Sequence, residues 1–529
     1  MSEPTTSTKE SSNLARQGGV VASMTMLSRI SGLVRDIFLS YLLGASQFAD
    51  MFFVAFRVPN FFRRLFAEGA FNQAFVPVLM RYKERGHAEM VGFLGPLSGV
   101  FATGLLIVTV IGMTFSKELA YVFAPGFSDM PGMLEQTGEL IFITFPYLAF
   151  ISLTAYAGAI LNAHNRFAVP AVTPVLLNFS LIGAALVAMG GWFSNSIVEI
   201  LAWGVLVAGV VQLGFQIPSL VALGFLTRPT LNAKHEGVRR VGKLLVPAVL
   251  AGSVGQINAL VNTILASMLM TGSVSWLYYA DRLLELPIGL VAIALGTVLL
   301  PHLSRMAAAG EEKAFRETLS WGIGLGLLLG LPAAVALFML ADGLVATVFM
   351  SVAGGAMTTK DARMAALALQ MFAVALPGFV LVRILAPAFY AFEDTQRPLK
   401  YATYSVVANL VVSLATFSWF GHVGLAWATA IAAWVNVIGL YMGLVSIGRY
   451  RIDKSMLKIP AKAMFASASL AALIYVACAD IAWLQMAELQ RVLWMAGVCL
   501  IGFAFYVGVL YVTGWRFREL NHYSSERDG

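Results

Sequence analysis

The chain has 529 residues, of which 59% are hydrophobic and only 12% are charged, and its formal net charge is +7. A soluble domain carries about 25% charged residues, so this composition excludes a soluble globular protein and indicates a polytopic membrane protein. Cytoplasmic loops of membrane proteins are rich in Lys and Arg, which accounts for the basic balance without a nucleic-acid partner. The polar first 17 residues lack the apolar core of a signal peptide, so we expect the first span to direct insertion.

Fourteen apolar runs have the length of about 20 residues that a membrane-spanning helix needs. Their approximate limits are 20–44, 49–80, 90–115, 136–162, 168–190, 197–226, 241–270, 275–303, 317–350, 362–392, 399–419, 423–447, 459–480 and 490–514. We therefore predict an all-α polytopic membrane protein with about 14 transmembrane helices.

Short sequence matches indicate an internal repeat. PVLMR (77–81) closes span 2 and PHLSR (301–305) closes span 8, while GAILNAHNRFAVP (158–170) and PAFYAFEDTQRP (387–398) close spans 4 and 10. Two six-helix lobes related in parallel are typical of alternating-access transporters, whose substrate site lies between the halves. The predicted divisions are a tail (1–19), an N-lobe (20–226), a linker (227–240), a C-lobe (241–447), two further spans (448–514) and a tail (515–529).

The distribution of basic residues predicts the orientation. With a cytoplasmic N-terminus, the tails and cytoplasmic loops hold 24 Lys and Arg, and the opposite side holds only Lys117, Lys360, Arg363 and Arg491. This asymmetry places both termini in the cytoplasm. It also assigns Arg491 to the far side, where we expect it to tolerate replacement by alanine.

Charged residues persist inside the predicted spans, although each costs about 2.5–3.5 kcal/mol at the bilayer centre. They are Arg29, Arg35, Asp36, Asp50, Arg57, Arg63, Arg64 and Glu68 in spans 1 and 2, and Asp281, Arg282 and Glu285 in span 8. One explanation is an anionic, phosphorylated substrate, since guanidinium binds phosphate in a bidentate manner. The other is internal ion pairing with the five acids. Neighbours such as Arg35 and Asp36 point about 100° apart on a helix, so we do not expect them to face each other.

Other chemistry is not indicated. The six histidines are scattered without metal-ligand spacing, and Cys478 and Cys499 both lie in apolar runs. There is no Walker motif, nucleophile elbow or HExxH, so we predict a protein that is not an enzyme and that uses no cofactor or metal.

Three segments together resemble the MurJ/MviN family of lipid II flippases, within the multidrug/oligosaccharidyl-lipid/polysaccharide exporter superfamily. They are SMTMLSRISGLVRD, FADMFFVAFRVPNFFRRLFAEGAFNQAFVPVL and GSVSWLYYADRLLELPIGLVAIALGTVLLP, and the resemblance covers nearly the whole chain. It implies transport of the undecaprenyl-diphosphate-linked peptidoglycan precursor from the inner to the outer leaflet of the bacterial cytoplasmic (inner) membrane.

The resemblance also implies roles for individual residues. Arg29, Arg35, Arg63 and Arg282 would bind the diphosphate, and gating or cavity support would come from Asp36, Asp50, Arg57, Arg64, Glu68 and Asp281. Spans 13 and 14 would form a groove for the lipid tail. The implied partners are lipid II and membrane lipids, with a monomeric transporter associated with the cell-wall synthesis machinery.

Three alternatives stay open at this stage. A cation-coupled drug exporter of the same superfamily would need a buried acid and little buried arginine. A polysaccharide-lipid flippase would share the diphosphate and differ only in its sugar contacts. A membrane enzyme acting on lipid-linked sugars would need acidic or histidine clusters on a loop, and the long 116–135 loop lacks them.

Overall fold

The computed structural model describes residues 6–65, 70–192, 196–296, 299–351, 354–452 and 458–516. Within these ranges all regular secondary structure is helical, which confirms the predicted all-α class. The contacts divide the chain into two compact units, Met1–Thr271 and Gly272–Gly529.

The first unit contains ten α-helices among its described residues. They are α1 (Thr6–Leu43), α2 (Gln47–Arg63), α3 (Ala70–Glu84), α4 (His87–Thr114), α5 (Ser116–Phe123), α6 (Met133–Thr144), α7 (Tyr147–Ala163), α8 (Ala168–Met189), α9 (Ile197–Ala222) and α10 (Glu236–Ser267). A short 3-10 turn, Pro125–Asp129, follows α5.

The second unit contains eight α-helices in its described part. They are α11 (Ser273–Gly296), α12 (Leu299–Ala309), α13 (Glu312–Met339), α14 (Ala341–Phe349), α15 (Thr359–Tyr390), α16 (Gln396–Ser446), α17 (Lys458–Cys478) and α18 (Glu488–Val512). The 51-residue α16 is bent at Gly421, whose φ of 56° and ψ of −137° are not helical. The bend falls in the predicted gap between spans 11 and 12. Glycine allows it, because this residue adopts positive φ without steric cost.

Nine segments of the described chain are long and apolar enough to cross a membrane. Helices α1 and α11, which carry charges inside predicted spans, are not among them. Nor is α10, which has Arg239, Arg240 and Lys243 near its start. The total of 14 spans therefore stays a prediction. Nine such segments already indicate a polytopic membrane protein, whatever the total number of spans.

Helix α10 packs within the first unit at both of its ends. At its start, Val238 and Val241 join a buried cluster with Tyr82 and Phe93 of α3 and α4. At its end, the Ser267 hydroxyl accepts a hydrogen bond of 3.3 Å from the main-chain N–H of Gly126. The predicted lobe boundary at 227–240 rests on the repeat rather than on contacts, and stays a prediction.

The segment before α10 is docked against α4. The N–H of Thr230 donates to the carbonyl oxygen of Gly95 at 3.0 Å. A Cβ atom placed on Gly99 would lie only 2.3 Å from the Thr230 carbonyl oxygen. The two glycines, one helical turn apart, thus form a notch that lets the linker backbone lie directly on the helix.

Helices α17 and α18 enclose an apolar groove of about 300 Å³ in the second unit. Its lining includes Leu473, Trp494 and Ile501. The groove lies on the two helices for which the resemblance implies a lipid-tail site.

Candidate functional site

The arginines predicted on α1 lie on its second half, where the helix packs against α8. Arg29 is half-buried, and the Arg35 side chain is only 5% exposed beside a fully buried Asp36. Arg35 donates from both Nε and Nη2 to Asp36 Oδ1, at 2.9 and 2.7 Å. The expectation that these neighbours do not face each other is wrong, because the long guanidinium arm folds back along the helix to reach the adjacent carboxylate.

Asn178 of α8 completes this arrangement. Its Oδ1 accepts a hydrogen bond of 3.1 Å from Arg35 Nη1. Sequence reasoning missed Asn178, although the signal is present as one amide residue in the middle of an otherwise apolar span 5. A buried polar side chain of this kind has to find a partner, and the partner turns out to be the predicted site arginine.

Helix α2 contributes the next group of charges. Asp50 is buried in the first turn of this helix, which begins after the N-cap residue Ser46. Further along the helix, the aromatic ring of Phe56 lies 5.9 Å from Cζ of Arg35. Arg57 donates from Nη1 to the Thr263 hydroxyl on α10. Arg57 therefore joins α2 to α10 in this structure, which fits the cavity-support role the resemblance implies.

Arg63 and Arg64 stand where α2 ends in a wider, π-type turn at Arg64 and Leu65. Arg63 donates from Nε to Asn60 Oδ1 at 3.0 Å, and Arg64 is exposed. Turns of this type are rare and are often found at functional sites. Glu68 lies outside the described residues.

Tyr147 is a buried aromatic residue near two of the predicted site arginines. This residue begins α7, is 1% exposed, and lies within electrostatic range of both Arg63 and Arg35. Tyr147 was not identifiable from the sequence, because an aromatic residue in an apolar run carries no charge signal.

Arg282 lies in the second unit, on α11. Its Nη1 forms an ion pair of 2.8 Å with Glu285 Oε2, one helical turn away, and the two side chains are 23% and 43% exposed. The adjacent Asp281 is exposed. Internal ion pairing is therefore observed at both Arg35 and Arg282, while phosphate binding by these arginines stays a prediction.

Within the part of the chain that the structure describes, no group of three His, Cys, Asp or Glu side chains could hold a metal ion. The arrangement is thus a set of cations on buried or half-buried helix faces in an apolar, helical protein. Charged side chains on the inner faces of long apolar helices are typical of the class of polytopic membrane transporters.

Comparison with known proteins identifies the family. A model of the family described as lipid II flippase MurJ matches residues 39–505, and the chain belongs to that family. The chain is 40% identical over 524 residues to the probable lipid II flippase MurJ of Vibrio cholerae, covering 96% of this chain and 98% of the relative. It is 36% identical over 512 residues to the lipid II flippase MurJ of Burkholderia cenocepacia, covering 96% and 98%.

Solved structures agree with this assignment. The chain is similar to a structure titled lipid II flippase MurJ, inward closed conformation, with a TM-score of 0.79, 26% identity, and coverage of 95% and 99%. An inward-facing multidrug resistance MATE family transporter of the MOP superfamily shares the fold, with a TM-score of 0.63, 15% identity, and coverage of 82% and 98%. The protein is therefore a membrane-embedded transporter of the MurJ family and not an enzyme.

Proposed function

We propose that this protein flips lipid II, the undecaprenyl-diphosphate-linked peptidoglycan precursor, from the inner to the outer leaflet of the bacterial cytoplasmic membrane. Family membership supports the substrate. The observation that carries the proposal is that Arg35 is only 5% exposed and that Arg29 and Arg63 are half-buried, all on helices of an apolar protein. Cations on buried or half-buried helix faces are costly in a membrane protein, and a diphosphate with about two negative charges would offset that cost.

Diphosphate binding is assigned to Arg29, Arg35 and Arg63 of the first unit and to Arg282 of the second. A guanidinium group offers five N–H donors in a planar fork, which matches two phosphate oxygens at once. Asp36 is assigned to hold Arg35 in place, since its Oδ1 accepts hydrogen bonds from Nε and Nη2 of that arginine. Asp50, Arg57, Arg64, Glu68 and Asp281 are assigned supporting roles.

The proposal extends to the transport cycle. Alternating access would expose the arginines first to the cytoplasm and then to the far side, and the apolar groove between α17 and α18 would receive part of the polyprenyl chain. Three apolar lining residues, Leu473, Trp494 and Ile501, support that use of the groove. Both termini would lie in the cytoplasm. One chain would suffice as the transporting unit, since it contains both repeats, and delivery would occur near the cell-wall synthesis machinery.

The test is replacement of the native flippase in a depletion strain by this chain. We expect the chain to restore growth and to prevent accumulation of lipid-linked precursor. Arg63→Ala should abolish rescue at normal protein level, because it removes one of the cations assigned to the diphosphate. Arg240→Ala is the matched control, because Arg240 is an exposed arginine in the first turns of α10, and it should rescue fully.

Two results would overturn the proposal. One is full rescue by each of two single variants, Arg63→Ala and Arg29→Ala. The other is that the wild-type protein inserts normally and exports organic cations, but the precursor still accumulates. That result would identify a drug exporter.

A further inference from the structure

Asn178 of α8 is a buried amide, only 4% exposed, that contacts α1 at three points. Its Nδ2 donates to the carbonyl oxygen of Ser28 and to the hydroxyl of Ser31, both at 2.9 Å. Its Oδ1 accepts from Arg35 Nη1 at 3.1 Å. One side chain thus contacts three residues spread over two turns of the neighbouring helix.

The orientation of the Asn178 amide follows from its partners. A guanidinium group has only donors, so the oxygen Oδ1 must face Arg35. The Ser28 carbonyl oxygen can only accept a hydrogen bond, so the nitrogen Nδ2 must face it. Reversing the amide would set donor against donor and acceptor against acceptor, and the two Nδ2 hydrogens would lose both of their partners.

The three contact points fix α1 in two respects. Ser28, Ser31 and Arg35 are spaced i, i+3 and i+7, which places them on one face of a helix. Contacts two turns apart on the same face prevent α1 from sliding along α8 by one residue or rotating by 100°. Arg29 follows Ser28 directly, so the position of its side chain depends on the same register.

We propose that Asn178 is a positioning residue for substrate binding: it holds α1 in register with α8 and orients the Arg35 guanidinium for the diphosphate. This inference rests on the proposed function, since it assigns Arg35 to the diphosphate. Asn178 itself does not touch the substrate and acts through Arg35.

Asparagine is the residue type that this position requires. The Asn178→Asp change keeps the size of the side chain but removes both donors and sets a second carboxylate beside Asp36. That carboxylate would attract Arg35 and compete with the diphosphate for it. The Asn178→Ala change removes all three contacts, including the hydrogen bond that Arg35 donates to the amide oxygen.

The experiment measures binding of undecaprenyl diphosphate to the purified full-length protein, together with hydrogen exchange of the α1 segment 24–36. We expect both Asn178→Ala and Asn178→Asp to weaken binding about tenfold or more, the loss expected for one charge-assisted hydrogen bond. Exchange in segment 24–36 should rise in both. In an Arg35→Ala background, a further Asn178→Ala change should weaken binding by less than about twofold, because residues in one network are not additive.

Asn409→Ala is the matched control. Asn409 is also a fully buried helix amide, in α16 of the second unit, and it donates to the Thr429 hydroxyl at 3.3 Å with no arginine involved. This change should lower the melting temperature without altering diphosphate affinity or exchange in segment 24–36.

The proposal is overturned if Asn178→Asp binds the diphosphate as wild type does, or if the losses from Asn178→Ala and Arg35→Ala simply add. A wild-type protein that does not bind the diphosphate at all would instead contradict the proposed function. Exchange in segment 24–36 would then still decide whether Asn178 holds α1, because that measurement needs no substrate.

Discussion

Arg491 of α18 donates a hydrogen bond from Nη2 to the main-chain oxygen of Met350, the residue that follows the last turn of α14. The side chain is 0% exposed, and its Nε and Nη1 find no acceptor among the described residues. Burial makes replacement of Arg491 by alanine costly, in contrast to the expected tolerance, and its side of the membrane stays a prediction. Arg491 lies in the first turns of a helix and satisfies a carbonyl group that the end of α14 leaves open.

We expect Arg491→Ala to lower the stability of the protein by about 1–3 kcal/mol, the cost of leaving a buried carbonyl unsatisfied. Both changes remove the unsatisfied Nε and Nη1 groups, but Arg491→Met should cost less because it keeps the packing of the long side chain. Thermal unfolding of both variants in one detergent measures the difference. A more stable Arg491→Ala than Arg491→Met would contradict this account.

The Arg35–Asp36 pair gives a second prediction. Because both side chains are buried, Asp36→Asn should destabilise the protein by about 3–5 kcal/mol, the usual cost of breaking a buried ion pair from one side. The double change Arg35→Leu with Asp36→Leu should recover much of that stability, since it leaves no unpaired charge, yet it should not restore transport. Melting temperature and precursor accumulation are the two measurements. Equal stability of the single and double variants would show that the pair is not energetically coupled.

The notch on α4 gives a third prediction. Gly99→Ala should destabilise the protein and expose the linker to protease, because the new methyl group would overlap the Thr230 backbone. Gly92 and Gly104 lie on the same helix, and no atom lies within 4 Å of the place where a methyl group on either would stand. Alanine at either should be neutral or stabilising by up to about 1 kcal/mol through helix propensity. Proteolysis of all three variants provides the comparison, and similar rates for the three would rule out docking of the linker.

The orientation is tested by cysteine labelling. In a chain with Cys478 and Cys499 replaced by serine, we expect cysteines introduced at Thr6, Ala233 and Ser525 to resist an impermeant thiol reagent in whole cells. The reason is the 24-to-4 distribution of basic residues. Labelling at Lys117 changed to cysteine is the positive control, and labelling of any of the first three from outside would reverse the orientation.

We expect the membrane potential to drive flipping. A diphosphate carries about two negative charges, and moving each charge across 100 mV is worth about 2.3 kcal/mol. With the cell interior negative, export of the anion is downhill. Without substrate the arginines leave a net positive charge, and the same field favours return of the transporter to its inward-facing state. Valinomycin with potassium should therefore stop flipping in cells, whereas nigericin alone should not. Flipping that persists without potential but requires sodium would point to ion coupling instead.

Most of the helical framework could be predicted from the sequence, because long apolar runs leave few alternatives to a helix in a membrane. The interruptions were harder to predict. Predicted span 4 breaks at Phe145 and Pro146 into α6 and α7, whereas spans 11 and 12 run together as α16 through the bend at Gly421. Hydropathy measures where the chain is apolar, and it does not distinguish a bend from a loop.

The candidate site was only partly predictable for a different reason. Arginines in apolar spans are conspicuous, since their insertion is costly, and the sequence therefore indicates Arg29, Arg35 and Arg63. Asn178 is 143 positions from Arg35 along the chain. Nothing in local spacing connects them, because the pairing depends on how α1 packs against α8. The contact of adjacent Arg35 and Asp36 was missed because helix geometry describes Cβ directions and not the reach of a long, flexible side chain.

The docked linker also bears on how the polypeptide could be divided. Between Thr230, which is held against α4, and the start of α10, the residues Leu231–Lys234 form an exposed turn, the kind of site where insertion and cleavage are best tolerated. A chain cut there would yield a second fragment that begins with α10, a helix whose contacts lie with the first fragment. Two separately synthesised pieces would thus be expected to reassociate through α10, which makes this turn the natural position for fragment complementation.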